Sequence, residues 1–253
     1  MQGLTPRPRN GHKDLVNNPA AILRHVPPFD AASDQARAEL SRLATSRTLN
    51  RADALWRAGD SPAAFTVIHT GLIKIVRRLP NGREAILGVF GPRESIGEVA
   101  LVRGSPYPAD AIVCSDTATV VQIPRDRFQA WTQSSPQTAT RMAEVLADRL
   151  HSMHAKVEIL SAGSVESRLA TLLLDLAERF GDEQEDGATA IPIALSRQEL
   201  ASLVSTSFET AIRVMSRWQK SGAVETRPDG FVLRDLELLR QAASSVLGYR
   251  QKG

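Results

Sequence analysis

The chain of 253 residues is long enough for about two domains, and its hydrophobic fraction of 42% is ordinary for a folded protein. The formal net charge of +3 excludes a polybasic tail, so any affinity for nucleic acid must come from a local patch. A single cysteine, Cys114, excludes an internal disulfide framework and a four-cysteine iron–sulfur cluster. Because no apolar run approaches the roughly 20 residues of a membrane helix and the N-terminus lacks an apolar signal core, we expect a cytoplasmic protein with no membrane partner.

The N-terminal part of the chain changes character twice. Residues 1–19 are rich in Pro, Arg, Asn and Gly, which indicates a flexible arm. Residues 20–133 are expected to form one domain, in which many short apolar runs at regular spacing are typical of a β-sandwich or barrel. The runs are separated by Gly59-Asp60, Gly71, Asn81-Gly82 and Gly91-Pro92, of which Asn81-Gly82 predicts a hairpin.

One helical turn is predicted to interrupt these strands. It begins at Gly97-Glu98 and continues through Val99 to Leu101. Backbone amides at such a turn can gather around an anion. An all-β domain without a ligand is the alternative interpretation.

Residues 134–161 are expected to form a long dimerisation helix, which runs from Pro136 to Leu160. Its apolar residues alternate in steps of four and three, the pattern of a coiled-coil seam. Pairing with a second copy is favoured because symmetric dimers dominate oligomers, and packing against the chain's own β domain is the alternative. The predicted seam residues are Leu146, Leu150, Met153, Val157 and Leu160.

Two histidines on the same helix raise the question of a metal or haem site. His151, His154 and Glu158 fall at positions i, i+3 and i+7, and His69 lies in the β domain. Solvated polar residues beside a dimer seam are the favoured interpretation, because no cysteine or clustered third histidine completes a ligand set. We therefore predict no metal and no cofactor, with haem or a nucleotide second messenger as the open alternative.

Residues 162–253 are expected to form a winged helix-turn-helix domain. Ser196 and Glu199 have the spacing of a capping box, and Ser205 to Ser207 favour a turn between two short helices. A β-hairpin, the wing, follows around the turn at Arg227 to Gly230. The second helix is predicted to bury Ala211, Ile212, Met215 and Trp218.

This layout suits double-stranded DNA, because a helix fits the major groove and its N-terminal side chains reach base edges. Arg213 can donate twice to guanine, and Glu209 can accept from cytosine. A helical hairpin with a solvated charged face is the alternative. The predicted DNA-contacting residues are Ser196, Arg197, Ser205, Ser207, Phe208, Glu209, Thr210, Arg213, Arg217 and Lys220.

The order of a β-roll, a seam helix and a winged helix-turn-helix resembles the Crp/Fnr family of transcription factors from about Ile22 onward. The matching motifs are IGEVAL at Ile96 to Leu101, SRLATLLLDLA at Ser167 to Ala177, and LSRQELASLVSTSFETAIRVM at Leu195 to Met215. The resemblance implies an α+β fold and a homodimer whose β-roll senses a small effector. It also implies two recognition helices on a near-palindromic DNA site, with RNA polymerase as a further partner.

The resemblance also locates a candidate effector pocket. In the family's cyclic-nucleotide binders an Arg-Ser or Arg-Thr pair follows the Gly-Glu pair, and its arginine neutralises the phosphate. Here Tyr107-Pro108 or Pro108-Ala109 stands in that place, and Asp110 would repel a phosphate. The resemblance therefore implies an effector other than cyclic AMP, or none. The candidate pocket residues are Ile96, Gly97, Glu98, Val99, Arg103, Tyr107, Pro108 and Ala109.

The recognition helix departs from the family in one position. The family has Arg-Glu-Thr-x-x-Arg or x-Glu-x-x-Ser-Arg, and this chain has Phe208 to Arg213 in that stretch. Glu209 and Arg213 match, which implies a G·C pair in each half-site, whereas Phe208 replaces the first Arg and cannot make its guanine contact, with a thymine methyl as an alternative contact. A sensor or docking module that does not bind DNA specifically is the alternative function. We predict no enzyme, because no nucleophile–base set is visible.

Overall fold

The computed structural model describes residues 22–80, 82, 84–134, 136–161 and 163–247. The predicted flexible arm at residues 1–19 and Asn81 of the predicted hairpin lie outside the described residues. The fold class is α+β, as predicted. Among the described helices, none is both long enough and apolar enough to cross a bilayer.

The N-terminal domain begins with a short 3-10 helix at Phe29–Ala31 and the helix α1 at Asp34–Leu43, which Ser33 caps through its hydroxyl. The strands that follow are β1 (Thr45–Asn50), β2 (Ala54–Trp56), β3 (Ala64–Thr70), β4 (Ile73–Arg78), β5 (Glu84–Phe90) and β6 (Ser95–Ile96). After them come the short helix α2 (Glu98–Arg103) and the strands β7 (Asp110–Val113) and β8 (Thr117–Pro124). The predicted helical turn among the strands is thus confirmed as α2.

Two four-stranded antiparallel sheets form the predicted β-roll. Their strand orders are β1-β8-β3-β6 and β2-β7-β4-β5. Apolar side chains from both sheets fill the space between them. Ile68, Ile73 and Val113, for example, are fully buried there. The corner after β3 needs glycine, because Gly71 has a φ of 76° and a Cβ there would collide with the carbonyl oxygen of Thr117.

The predicted long helix is confirmed as α4 (Pro136–Ser161), which follows α3 (Arg125–Ser134). Its N-terminal half packs against the β-roll through Met142. The aromatic cluster beneath it includes Phe29 stacked on Trp131, with ring centroids 5.1 Å apart, and Phe65 stacked on Phe128 at 4.2 Å.

The C-terminal domain contains a helix-turn-helix and a four-stranded sheet of order β11-β12-β10-β9. Its elements are α5 (Val165–Phe180), β9 (Asp182–Glu183), β10 (Thr189–Ile191), α6 (Arg197–Leu203), α7 (Phe208–Lys220), β11 (Val224–Arg227), β12 (Gly230–Leu233) and α8 (Leu236–Leu247). The wing is the β11–β12 hairpin.

The buried face of α7 differs from the prediction by one residue. Ile212 is 36% exposed, whereas Val214 is only 5% exposed. The buried stripe is Ala211, Val214, Met215 and Trp218, which is the i, i+3, i+4, i+7 spacing of one helix face. The prediction that Ile212 is buried was therefore wrong, because that position lies beside the stripe and not on it.

The two domains share a contact surface between the β4–β5 hairpin and α6. Lys74 forms an ion pair with Glu199, and the Ser202 hydroxyl donates to the carbonyl oxygen of Glu84 at 2.9 Å. Arg51 donates to the carbonyl oxygen of Pro228 in the wing at 3.1 Å. The hydrophobic cluster beneath these polar contacts is continuous across the domains and includes Leu72, Val76, Ile86, Val89, Leu169, Leu173, Leu200, Met215 and Trp218.

Candidate nucleic-acid interface and effector region

Side-chain caps define both helices of the helix-turn-helix. The Ser196 hydroxyl accepts the amide of Glu199 at 3.2 Å, and the Glu199 carboxylate accepts the amide of Ser196 at 2.7 Å. This is the predicted capping box. In the turn Ser205 takes a φ of 51°, and the Ser207 hydroxyl then accepts the amide of Thr210 at 3.2 Å to begin α7.

The outer face of α7 combines an acid, cations and two apolar side chains. Phe208 is 42% exposed and Ile212 36% exposed, and Glu209 and Arg213 are exposed beside them. Hydrogen bonds from the Glu209 amide and the Ser207 hydroxyl lower the pKa of the Glu209 carboxyl. At neutral pH this carboxylate is therefore an acceptor at the N-terminal end of the helix, where the helix dipole also favours a negative charge.

Some of the predicted DNA-contacting residues have partners within the chain. Arg197 donates to the Thr226 hydroxyl at 2.6 Å and lies over the Phe231 ring, so both of these contacts are with the wing. Burial lowers the pKa of Arg197. Arg217 forms an ion pair with Glu166 at 2.5 Å, whereas Lys220 is exposed.

Ser196 lies at the domain interface. It lines a cavity of about 520 Å³ with Gly82, Glu84 and Ser202, between the β4–β5 hairpin and α6. Its hydroxyl is occupied by the capping box, so the structure gives it a helix-capping role. The exposed residues Ser205, Ser207, Phe208, Glu209, Ile212, Arg213 and Lys220, with the half-buried Thr210, remain on the turn and the outer face of α7.

The wing contains an ion-pair network that sequence reasoning missed. Glu225 pairs with Arg227 at 2.8 Å and with Arg234 at 2.9 Å, and Arg234 also pairs with Asp186 at 2.7 Å. The opposite charges of Glu225 and Arg227, two residues apart on β11, could have indicated the ion pair between them. The pair with Asp186 joins distant segments and had no local signal.

The region beside Gly97 is filled by aromatic side chains. Gly97 has a φ of 77°, and a Cβ there would lie 2.7 Å from Cε1 of Tyr107 and 3.0 Å from the Trp56 ring. The Tyr107 and Trp56 rings stack with centroids 4.1 Å apart, and the Trp56 indole donates to the carbonyl oxygen of Ala109 at 3.1 Å. Burial in this packed region raises the pKa of Tyr107 to about 12.

The eight predicted pocket residues are divided between the interior and the surface of the domain. Ile96, Glu98, Tyr107 and Ala109 are buried in the packed interior, Gly97 is half-buried, and Val99, Arg103 and Pro108 are exposed. The Trp56–Tyr107 stack lies directly against Gly97, in the middle of the predicted set. Asp110 has partners within the chain, because it pairs with Arg57 at 3.1 Å and accepts the Ala58 amide at 2.7 Å.

Glu98 has a partner on the long helix. The guanidinium of Arg149 donates to the Glu98 carboxylate at 3.1 Å and to the carbonyl oxygen of Ser95 at 2.6 Å, and it lies 4.6 Å from the centroid of the Phe90 ring. Glu98 is only 5% exposed, so its carboxylate needs this cation. Sequence reasoning missed Arg149, because the burial of Glu98 and the pairing across 51 residues are visible only in the fold.

The predicted seam is largely uncovered in the single chain. Leu150, Met153, Val157 and Leu160 are 55%, 63%, 60% and 36% exposed. Leu146 differs from them, because it is half-buried and packs against the N-terminal hydrophobic cluster. The apolar stripe of α4 therefore begins on the β-roll and ends in solvent.

The histidine hypothesis is tested only in part. His151 is exposed, whereas the side chains of His154 and Glu158 lie outside the described part of α4. Within the described residues, no group of three His, Cys, Asp or Glu side chains has the arrangement of a metal site.

Known proteins resemble the chain over both domains. A model of the cyclic nucleotide-binding domain matches residues 46–135, and a model of the Crp-like helix-turn-helix domain matches residues 167–242. The CRP-like cAMP-activated global transcriptional regulator of Mycobacterium tuberculosis is 28% identical over 222 residues, which are 88% of this chain and 98% of the relative. The transcriptional activator protein Anr of Pseudomonas aeruginosa is 25% identical over 80% of this chain and 82% of the relative. The solved structure of the c-di-GMP-responsive global regulator of Xanthomonas campestris is 25% identical, with a TM-score of 0.64 over 79% of this chain and 99% of that one.

These relatives are transcriptional regulators and not enzymes, which agrees with the prediction from sequence. The two domain models match in the order in which the β-roll and the helix-turn-helix occur here. From its two domains and from these relatives, the chain belongs to the Crp/Fnr family of DNA-binding transcription factors.

Proposed function

We propose that the protein regulates transcription as a homodimer that binds a near-palindromic DNA site. In this proposal the two copies pair along α4, and each presents Glu209 and Arg213 to the major groove of one half-site. Its effector is a molecule other than cyclic AMP, or none. The family likeness extends the proposal to RNA polymerase as a partner at the promoter. The single observation that carries the proposal is the exposed apolar stripe on α4, in a chain that also exposes a base-reading helix face.

The stripe supports pairing because water is a poor environment for it. Four large apolar side chains, Leu150, Met153, Val157 and Leu160, are exposed at seam spacing over three helical turns. Fully burying one such side chain is worth at most about 1.5–3 kcal/mol, and a symmetric pair of helices buries the set twice. A second copy offers the same spacing and therefore an interdigitating surface.

The recognition face supports a G·C pair in each half-site. Arg213 can donate two hydrogen bonds to O6 and N7 of guanine, and Glu209 can accept from the N4 amine of cytosine. The lowered pKa of Glu209 keeps it an acceptor throughout the neutral range. Each well-placed contact of this kind is worth about 1–3 kcal/mol of discrimination against the wrong base.

The effector region argues against cyclic AMP. A cyclic phosphate needs a cation, and the residues at that place are the stacked Tyr107, the exposed Pro108 and the acidic Asp110. The nearest arginine to Glu98 is Arg149, which is already bonded to Glu98 and Ser95. The M. tuberculosis relative is described as cAMP-activated, and the X. campestris relative as c-di-GMP-responsive. The arginine beside Asp110, Arg57, is already paired with that carboxylate.

The oligomeric state tests the first half of the proposal. Leu150→Asp places a charge in the centre of the seam and should convert a dimer into a monomer in analytical ultracentrifugation. His151→Asp is the matched control, because it adds the same charge at an exposed neighbour outside the seam and should leave the dimer intact. A monomeric parent protein, or identical behaviour of both variants, contradicts the proposal.

Selection of bound sites from random duplex DNA tests the second half. We expect a near-palindrome with a G·C pair in each half-site, and cyclic AMP should not change the affinity. Arg213→Ala should cost about 1–3 kcal/mol and relax the preference at that pair, whereas Lys220→Ala should weaken all duplexes alike and reduce the salt dependence. Uniform weakening by Arg213→Ala would place it on a phosphate and remove the proposed base contact.

A further inference from the structure

We infer that Phe208 and Ile212 recognise the methyl groups of two thymines beside the G·C pair of each half-site. This inference rests on the proposed function and adds to it the identity of the flanking bases. The observation behind it is that Ile212, which was predicted to be buried, is 36% exposed. Phe208, on the same helix face, is 42% exposed.

The two side chains form one apolar patch. They are separated by four residues, so they are neighbours on the surface of α7, about 5–6 Å apart at their Cβ atoms. Each immediately precedes one of the two polar base-reading candidates, since Phe208 is followed by Glu209 and Ile212 by Arg213. Neither is needed for the core of the domain, because the buried stripe already consists of Ala211, Val214, Met215 and Trp218.

The position of the patch favours DNA as its occupant. Phe208 is the first residue of α7, which the Ser207 cap holds in place, and the N-terminal part of a recognition helix enters the major groove. The same helix presents the cation Lys220, which complements a phosphate beside that groove, and Arg213, which donates to guanine within it. A protein partner would leave this charge pattern unexplained, so we assign the patch to the DNA itself.

Thymine is the base that an apolar side chain selects. Its C5 methyl is the apolar group that the major groove displays, whereas the other base edges there present hydrogen-bond donors and acceptors. An apolar side chain placed against such an edge strips it of water and returns no hydrogen bond, which is unfavourable. A spacing of about 6 Å along the helix corresponds to roughly two base steps, so two separate thymines come within reach.

Replacement of thymine by deoxyuracil tests the inference, because it removes the methyl group and leaves the hydrogen bonds unchanged. In the selected half-site each thymine is replaced in turn and the Kd of the full-length protein is measured. We expect two positions at which uracil weakens binding about fourfold, the equivalent of about 0.8 kcal/mol for one buried carbon. The other thymine positions should show no change.

Substitutions of the protein then assign each methyl to its side chain. Ile212→Ala should abolish the uracil effect at one of the two positions, and Phe208→Ala should abolish it at the other. Gln219→Ala, an exposed residue at the far end of α7, is the matched control and should keep both effects. Thermal unfolding of each variant shows that the fold is intact, which the exposure of both side chains leads us to expect.

The outcomes separate the inference from the proposed function. If uracil changes the Kd at no position while the G·C pair and Arg213 remain required, the inference is wrong and the proposed function stands. If uracil effects survive in both alanine variants, the methyls are recognised by other residues and the inference is again wrong. If the protein selects no sequence at all, the proposed function itself fails.

Discussion

The contact between the β-roll and the helix-turn-helix contains an ion pair whose removal has a calculable effect. Lys74 pairs with Glu199, and their side chains are only 17% and 19% exposed. Lys74→Met keeps the apolar stem but removes the ammonium group, so the carboxylate stays buried with the Ser196 amide as its remaining charge-stabilising donor at 2.7 Å. Breaking a fully buried pair costs about 3–5 kcal/mol, and an exposed pair contributes about 0–1 kcal/mol. Since the pair is mostly buried and one donor remains, we expect a loss of about 2 kcal/mol at neutral pH.

The same substitution should change the pH dependence of stability. Burial raises the pKa of Glu199, but hydrogen bonds from Lys74 and Ser196 outweigh it and hold the pKa below its ordinary value of 4.5. A carboxyl whose pKa is lowered by folding adds stability above its unfolded pKa, and this stability is lost as the pH falls through the folded pKa. Without Lys74 the effect of burial dominates and raises that pKa. As the pH falls, Glu199 is therefore protonated above pH 4.5 in the variant and only below it in the parent protein, so the deficit of the variant should shrink as the pH falls through about 4.5.

Urea unfolding at neutral pH and near pH 4 measures both effects, and Arg78→Met is the matched control. Arg78 lies on the same hairpin, 3.9 Å from Glu84, with side chains 76% and 56% exposed. Its loss should change stability by less than about 0.5 kcal/mol at either pH. If Lys74→Met is as stable as this control, or its deficit does not depend on pH, the ion pair does not hold the domains as described.

Two further substitutions test the region around α2. Gly97→Ala places a Cβ 2.7 Å from the Tyr107 ring at a φ of 77°, and we expect a loss of about 1–3 kcal/mol in thermal unfolding. Gly59→Ala has a φ of 95° with no atom within 4 Å of the added Cβ, so it reports backbone strain alone, and an equal loss in both variants would disprove the contact with the aromatic pair. Arg149→Met leaves Glu98 buried without its cation and should cost about 3 kcal/mol in urea unfolding. The double variant with Glu98→Gln should recover part of that loss, and no recovery would mean that the charge of Glu98 is not what Arg149 stabilises.

Features that depend on neighbours along the chain were predictable from the sequence. The capping box of Ser196 and Glu199 and the helix from Pro136 are set by side chains within a few residues of each other. Hydrophobic periodicity likewise predicted the strands of the β-roll. The buried face of α7 was predicted less well, because the prediction chose Ile212 although the spacing from Ala211, Met215 and Trp218 places Val214 on the buried stripe.

Features that depend on distant segments were not predictable. Trp56 and Tyr107 are stacked although 51 residues separate them in the sequence, and this stack lies against Gly97 of the predicted effector region. Arg149 pairs with Glu98, and Lys74 pairs with Glu199, and the residues of each pair are at least as far apart in the sequence. Contacts between residues far apart in the chain cannot be read from a single sequence. Only the structure shows that several predicted site residues already have partners within the chain.

The hydrophobic cluster that is continuous across the two domains limits how this molecule can be divided. Val76, Ile86 and Val89 of the β-roll lie in the same cluster as Leu200 and Trp218 of the C-terminal domain. Phe180, at the end of α5, lies directly against Gly91, and Arg179 beside it donates to the carbonyl oxygen of Val89 at 2.9 Å. A fragment excised after α4 would carry the recognition helix but would leave these apolar surfaces facing water on both pieces. Separately expressed domains should therefore aggregate or bind DNA with altered affinity, so DNA recognition should be measured on a chain that contains both domains.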